Sequence, residues 1–265
     1  MTRIADHFAQ LRSRRTVALI PFVTAGDPDL ETTAQALLTL DQQGADFLEV
    51  GVPYSDPLAD GPVIQAAATR SLARGTTLNA VLEMLRQLTP QLKSPVILFT
   101  YYNPILAVGP EAFLDRLKAC GISGMVIPDL PIEEGETLRT LAQARALEII
   151  WLAAPTSPQA RLQNLAAVAG GFIYLVSTTG VTGMRTQVAD SVKTSIENLR
   201  SLTTLPIAVG FGISTPDQAR QVAQWGADGV IVGSAFVKLL QEKPAEERLI
   251  ALGQFCRSLK DALSV

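Results

Sequence analysis

The residue types that this sequence has in small numbers exclude several kinds of site. It contains one histidine, His7, and two cysteines, Cys120 and Cys256, without the spacing of a metal or redox motif. A histidine-based catalytic triad and a histidine-rich metal site are therefore nearly excluded, and we expect no metal ion. Both cysteines lie within helical patterns, which predicts buried free thiols in a cytoplasmic protein.

Long apolar runs and blocks of basic residues are also absent. No stretch approaches the run of about 18 apolar residues that a membrane-spanning helix needs, so we expect no membrane span. The net charge is −3, and the densest basic cluster is Arg12, Arg14 and Arg15, which argues against nucleic acid as a main partner. We interpret the preceding segment, 2–11, as a short amphipathic helix and not as a signal or transit peptide.

The composition, with 48% hydrophobic and 18% charged residues, is that of a globular chain with a large core. Short apolar segments rich in β-branched residues recur along it, each followed by a helical pattern. The segments are 17–23, 47–50, 95–100, 124–127, 148–153, 172–177, 206–209 and 229–232. Residues 101–104 (YYNP) directly follow the third segment and close it. Eight such units without a linker predict an α/β fold: a single (β/α)8 TIM barrel over residues 1–265 with an extra N-terminal helix, in preference to a doubly wound sheet.

A faint internal repeat supports the barrel. Residues 43–46 (QGAD) precede the second strand, and residues 225–228 (WGAD) precede the eighth. Catalytic groups of such barrels lie at the carboxyl ends of the strands, whereas Asp46 and Asp228 precede their strands. We therefore expect both aspartates to be structural.

Residues 47–62 (FLEVGVPYSDPLADGP) carry the clearest chemical signal. They begin as a buried strand that contains Glu49 and continue into a loop with Asp56 and Asp60. A carboxylate inside an apolar strand is costly to bury unless it is paired or used. One strand end therefore presents three acids to a common space. The alternative is a polar loop that caps the strand, with Asp60 as the N-cap of the next helix.

Glycines at successive strand ends indicate a phosphate site. The glycine pair after the seventh strand lacks the third glycine of a dinucleotide fingerprint, so we reject a Rossmann fold. Gly212 after the seventh strand and Gly233 after the eighth allow backbone N–H groups to approach an anion, and Ser234 opens a short helix. Gly183 would close a third side. This pattern predicts a phosphomonoester ligand and requires no lysine or arginine.

Residues 48–62 closely resemble the signature of the tryptophan synthase alpha chain family, and the likeness runs the whole length of the chain. It includes residues 21–28 (PFVTAGDP), 128–131 (PDLP), 180–183 (GVTG), 210–214 (GFGIS) and 233–234 (GS). The resemblance implies a TIM barrel that cleaves indole-3-glycerol phosphate to indole and glyceraldehyde 3-phosphate, a carbon–carbon lyase of cytoplasmic tryptophan biosynthesis. It also implies an α2β2 heterotetramer in which indole passes to a beta chain that carries pyridoxal phosphate, with no cofactor in this chain.

The resemblance also implies roles for the acids. Glu49 would protonate C3 of the indole ring and then accept the proton of the C3′ hydroxyl, because apolar surroundings raise its pKa toward neutrality. Asp60 matches the second catalytic acid of the family; held ionised, it would accept the indole N–H and stabilise the charge on the ring. We interpret Asp56 as a beta-chain contact or a loop organiser.

Other site residues follow from the same resemblance and from their places at strand ends. Thr182 is expected in a lid that closes over the substrate and hydrogen-bonds to Asp60. Residues 178–179 are threonines where many relatives carry an arginine, which leaves open how the lid is linked to the partner. Ordinary core packing is the alternative role for the remaining aromatic and aliphatic residues. The candidates for the indole pocket are Phe22, Tyr101, Tyr102, Ile127, Tyr174 and Phe211.

Three alternatives remain beside the leading interpretation. The first is a mainly regulatory subunit that activates a partner. The second is a stand-alone indole-glycerol-phosphate lyase, and the third is another phosphosugar barrel such as an isomerase. The presence of both Glu49 and Asp60 argues against a purely regulatory subunit. The reaction product separates a lyase, which releases indole, from an isomerase.

Overall fold

A closed barrel of eight parallel strands forms the centre of the computed structural model, which describes residues 3–176, 185–210 and 212–264. Each strand pairs with the next along the chain, and the eighth pairs with the first. The strands are β1 (Ala18–Thr24), β2 (Leu48–Gly51), β3 (Val96–Phe99), β4 (Gly124–Val126), β5 (Glu148–Ala153), β6 (Ile173–Val176), β7 (Ile207–Gly210) and β8 (Gly229–Val232). The predicted TIM barrel is confirmed.

Helices surround the barrel, and local caps explain several of their starts. The side chains of Asp29, Thr77 and Thr215 each accept a hydrogen bond from the first turn of the helix that they precede. None of the helices in the described ranges is long and apolar enough to cross a membrane. The helices are α1 (Arg3–Ser13), α2 (Leu30–Gln42), α3 (Pro62–Ala73), α4 (Leu78–Leu88), α5 (Tyr102–Val108), α6 (Pro110–Ala119), α7 (Glu136–Gln143), α8 (Gln159–Val168), α9 (Arg185–Leu202), α10 (Pro216–Gln224), α11 (Ser234–Glu242) and α12 (Ala245–Leu263).

The sequence analysis did not predict the helix α5, because it interpreted residues 101–104 as the end of a strand. Pro104 falls in the first turn of α5, where a missing N–H costs nothing. The carboxylate of Asp129, from the loop after β4, accepts a hydrogen bond of 2.9 Å from the Tyr102 N–H. Because this cap comes from a distant loop, the local sequence does not reveal the helix.

The extra helix α1 closes the amino-terminal end of the barrel, and its prediction is confirmed. Ile4, Phe8 and Leu11 on its buried face belong to the same apolar cluster as the inward-facing strand residues. The Phe8 ring lies 4.8 Å from the ring of Phe47 and 5.5 Å from that of Phe172, measured between centroids. The barrel interior is therefore filled from below by aromatic packing.

The two aspartates of the internal repeat fasten this amino-terminal end. Asp46 accepts hydrogen bonds from the Leu19 N–H of β1 at 2.7 Å and from Lys260 of α12 at 2.6 Å. Asp228 accepts one from the Ile207 N–H of β7 at 2.9 Å and pairs with Arg12 and Arg200. Each aspartate thus joins its own strand to a neighbouring strand and a helix, which confirms the structural role predicted for both.

Both cysteines are buried and free, as the sequence predicted. The Cys120 thiol donates to the Leu82 carbonyl at 3.2 Å, and the Cys256 thiol to the Leu40 carbonyl at 3.7 Å. Burial raises the pKa of the Cys256 thiol to about 12. Neither thiol is therefore suited to nucleophilic chemistry near neutral pH.

The substitution Asp46→Asn should lower the free energy of unfolding by about 3 kcal/mol, because it leaves the ammonium of Lys260 buried without its counter-charge. Only 16% of the Lys260 side chain is exposed. Urea unfolding measures the change. Asp217→Asn is the control, since its pair with Arg220 is exposed and its loss should leave stability nearly unchanged. Equal effects of the two substitutions would contradict the prediction.

Candidate active site

A cavity of about 680 Å³ opens at the carboxyl ends of the strands. Inward-facing side chains from several strands line it, and most of them are apolar. They include Phe22 of β1, Phe99 of β3, Leu152 of β5, Tyr174 of β6 and Ile231 of β8. Such walls suit a flat aromatic group, with polar groups needed only at particular points.

Glu49 points into the barrel from the middle of β2. Leu48 and Val50 pack in the outer layer between strands and helices, and side chains alternate along a strand, so Glu49 faces the interior. It is 1% exposed, and neither carboxyl oxygen has a hydrogen-bond partner among the described residues. Burial, and secondly the charge of Asp60, raise the pKa of Glu49 to about 8. The carboxyl is therefore mainly protonated at neutral pH and able to donate its proton.

Asp60 lines the cavity from the loop between β2 and α3. Burial raises its pKa to about 6, and a hydrogen bond with Tyr101 opposes this shift. The Tyr101 hydroxyl accepts the Ala59 N–H at 3.0 Å, so its own proton is available to the Asp60 carboxylate. At neutral pH Asp60 is thus mainly ionised while Glu49 is mainly protonated, which is the pattern of an acid pair with divided roles.

Tyr101 is a positioning residue in this structure and does not line the cavity. It is 3% exposed and stacks on Tyr54 with ring centroids 4.9 Å apart. Its hydroxyl holds the loop that carries Asp60. The expectation that Tyr101 sandwiches an indole ring is therefore replaced by a role in fixing the acid loop.

Tyr174 lines the cavity close to both acids. Its pKa lies well above the usual tyrosine value because of burial and, after that, the negative charges of Glu49 and Asp60. A Cβ on Gly210 would come within 2.7 Å of the Tyr174 ring, so the glycine leaves room for the tyrosine. The hydroxyl of Tyr174 is consequently a protonated donor beside the acid pair.

The described residues of the predicted phosphate site belong to the same cavity. Gly212, Gly233 and Ser234 all line it. Gly212 has a φ of +45°, which favours glycine. Ser234 is the first residue of α11, where backbone N–H groups lack partners within the helix and the helix dipole is positive. This part of the cavity is suited to an anion, whereas Gly183 lies outside the described residues.

Three of the remaining predicted residues, Ile127, Tyr102 and Asp56, do not line the cavity. Ile127 is 2% exposed and packs in the outer layer, where Tyr102 of α5 also packs. Thr182 and Phe211 lie outside the described residues. Asp56 is exposed, and its carboxylate accepts a 2.6 Å hydrogen bond from the Ser55 hydroxyl.

Phe99, Leu152 and Ile231 are lining residues that the sequence analysis missed. In sequence each is an ordinary apolar strand residue. The signal that identifies Phe99 is its register: Glu49 pairs with Ile97, and Phe99 lies two residues further on the same inward face. No group of histidine, cysteine, aspartate or glutamate residues in the described ranges is arranged to hold a metal ion.

Comparison with known proteins gives one consistent result. A family model described as tryptophan synthase alpha chain matches residues 8–264. The chain is 66% identical over 260 residues to the tryptophan synthase alpha chain of Gloeobacter violaceus, covering 98% of this chain and 94% of that one. It is 59% identical to that of Rippkaea orientalis, covering 99% and 98%.

Solved structures agree with the sequence relatives. The tryptophan synthase alpha chain from Legionella pneumophila superposes with a TM-score of 0.89 at 36% identity, covering 99% of this chain and 97% of that one. A chain of Mycobacterium tuberculosis tryptophan synthase superposes with a TM-score of 0.90 at 34% identity, covering 100% and 99%. The similarity thus extends over the barrel and the cavity together.

The raised pKa of Glu49 predicts a pH-dependent stability. Between its ordinary pKa of 4.5 and its folded pKa of about 8, the folded state binds more protons than the unfolded state, so stability falls as pH rises. From pH 6.5 to 8.5 the wild type should lose about 2 kcal/mol relative to Glu49→Gln. Urea unfolding of both proteins at the two pH values measures this difference. Identical pH dependence in the two proteins would show that Glu49 is not protonated in the folded state.

Proposed function

The chain belongs to the tryptophan synthase alpha chain family, and from that premise we propose that it cleaves indole-3-glycerol phosphate to indole and glyceraldehyde 3-phosphate. The observation that carries the proposal is the acid pair: Asp60, with a pKa of about 6, lines the cavity, and the buried Glu49, with a pKa of about 8, is close enough to feel its charge. The reaction requires one carboxyl that donates a proton and one that remains charged. The predicted phosphate residues that line the same cavity suit the glycerol phosphate arm.

Binding would place the indole ring between the apolar walls and its N–H on Asp60. Phe22 and Phe99 lie with their rings nearly perpendicular, 5.7 Å apart between centroids, on the β1–β3 side of the cavity. The ionised Asp60 carboxylate accepts the indole N–H. Gly212, Gly233 and Ser234 donate backbone N–H groups to the phosphate. The substrate is thus held at both ends with the bond to be broken between them.

Glu49 would then act twice. Its protonated carboxyl transfers a proton to C3 of the indole ring, and the positive charge that develops on the ring is stabilised by the Asp60 carboxylate. The Glu49 carboxylate next accepts the proton of the C3′ hydroxyl. The bond between C3 and C3′ breaks, its electron pair returns to the ring, and the hydroxyl carbon becomes the aldehyde. Glu49 ends protonated and ready for the next cycle.

A beta-chain partner follows from the family and from the surface of the acid loop. We propose an α2β2 complex in which the loop carrying Asp56 and Leu58 contacts the beta chain. Leu58 is 92% exposed, although it lies two residues from Asp60. We assign pyridoxal phosphate to the beta chain, no cofactor to this chain, and the complex to the cytoplasm.

Replacing the acid pair should stop the reaction while the fold survives. Glu49→Gln should lower kcat by about 10²–10⁴-fold, roughly 3–5 kcal/mol, since it removes the proton donor and acceptor. The kcat/KM of the wild type should rise with pH through about 6, as Asp60 ionises, and fall through about 8, as Glu49 loses its proton. Release of indole from indole-3-glycerol phosphate measures both effects.

Asp60→Asn should depress turnover and remove the acidic limb of the pH profile, and Asp217→Asn should match the wild type. Near-normal turnover of Glu49→Gln would refute its role. A wild type that releases no indole, with or without a beta chain, would refute the lyase function. That outcome would favour a regulatory subunit or another phosphosugar enzyme.

The exposed loop predicts where the partner binds. Leu58→Asp should weaken binding of a beta chain about tenfold, because it places a charge where an apolar side chain would be buried in the complex. Ile250→Asp is the matched control, since Ile250 is also exposed, at 63%, but lies on α12. Titration calorimetry and the rise in indole release on addition of the beta chain measure the effect. Fast release that no beta chain increases would favour a stand-alone lyase.

A further inference from the structure

Lys238 is the basic residue that lines the cavity, and no other lysine or arginine does so among the described residues. It lies on α11 four residues after Ser234, so it is on the same face of the helix and about 6 Å further along the axis. Side chains on a helix tilt toward its amino-terminal end. Lys238, whose side chain is exposed, thus lines the same cavity as Ser234, one helical turn away.

The ammonium of Lys238 has no ion pair and no hydrogen bond within the described ranges, although many other basic side chains are paired. Lys260 is bound to Asp46, and Arg70 is bound to Asp27 through two hydrogen bonds. Glu242 also lines the cavity one turn further along α11, but no salt bridge joins it to Lys238. The charge of Lys238 is consequently available to a ligand.

The charges around the cavity explain why a cation is useful there. Asp60 and Glu242 both line the cavity, so their acidic side chains oppose the entry of an anion. A phosphate monoester carries a charge between about −1.5 and −2 near pH 7. The helix terminus supplies only about half a positive charge. A full positive charge on the same helix face offsets what the backbone donors leave uncompensated.

We propose that Lys238 is a second, electrostatic part of the phosphate site: its ammonium pairs with the phosphate of the substrate and of the glyceraldehyde 3-phosphate product. This inference rests on the proposed function and extends it, since the backbone cradle alone requires no basic residue. Lys238 holds the phosphate end in place and takes no part in proton transfer at Glu49. Its removal should therefore affect binding and leave the chemical step unchanged.

The test is Lys238→Gln, with Lys238→Arg as the conservative variant. The glutamine variant should raise KM for indole-3-glycerol phosphate about tenfold, in keeping with the loss of one cation close to a dianion, and change kcat by less than about twofold. The dissociation constant of glycerol 3-phosphate, measured by calorimetry without turnover, should rise by the same factor. The arginine variant should bind within about threefold of the wild type. Added salt should weaken binding to the glutamine variant less than binding to the wild type.

Lys243→Gln is the matched control, because Lys243 follows the last residue of the same helix, is exposed and does not line the cavity. It should leave KM, the dissociation constant and the salt dependence unchanged. If Lys238→Gln binds glycerol 3-phosphate like the wild type, or if Lys243→Gln shows the same loss, the proposal is wrong. A wild type that binds glycerol 3-phosphate but releases no indole would instead overturn the proposed lyase function and leave the Lys238 measurement valid.

Discussion

The unpaired carboxyl of Glu49 inside the closed barrel is the constraint on which the rest of the site depends. A carboxyl there can be protonated at neutral pH only while water and counter-charges are kept away from it. Apolar residues of the barrel interior surround it, and α1 closes the barrel from below through Phe8, Phe47 and Phe172. The N-terminal helix thus helps to keep water from Glu49, although it lies at the opposite end from the cavity.

Two carboxyl groups from one strand and its following loop acquire different pKa values because their surroundings differ. Glu49 has no hydrogen-bond partner among the described residues, whereas Asp60 has the Tyr101 hydroxyl. Desolvation acts on both, but the hydrogen bond stabilises the charged form of Asp60 alone. Tyr101 thereby helps to separate the pKa values of the two acids. It also holds the backbone at Ala59, so the same hydroxyl sets the charge and the position of the acid.

The acidic residues at the two ends of the barrel differ in whether their carboxyl groups are paired. At the amino-terminal end, Asp46 and Asp228 accept hydrogen bonds from backbone N–H groups and pair with basic side chains. These contacts connect strands and helices of the scaffold. At the carboxyl end, Glu49 and Asp60 remain available for a ligand, at a cost in stability for the buried carboxyl. Lys238 repeats the contrast among the cations, since Lys260 is bound to Asp46 and Lys238 is not bound to any described carboxylate.

The sequence by itself determined the barrel and the two structural aspartates, because apolar periodicity and turn residues are local properties of the chain. It also placed Glu49, Asp60, Gly212 and Gly233 in or after their strands, whereas the roles of the two acids came from the family resemblance. It did not reveal α5, whose cap comes from Asp129, or the lining role of Phe99. It also placed Tyr102 and Ile127 at a pocket that they do not line, and gave no role to Lys238. These points depend on which strands become neighbours and how far each side chain reaches, and only closure of the barrel brings together groups that are distant in the chain.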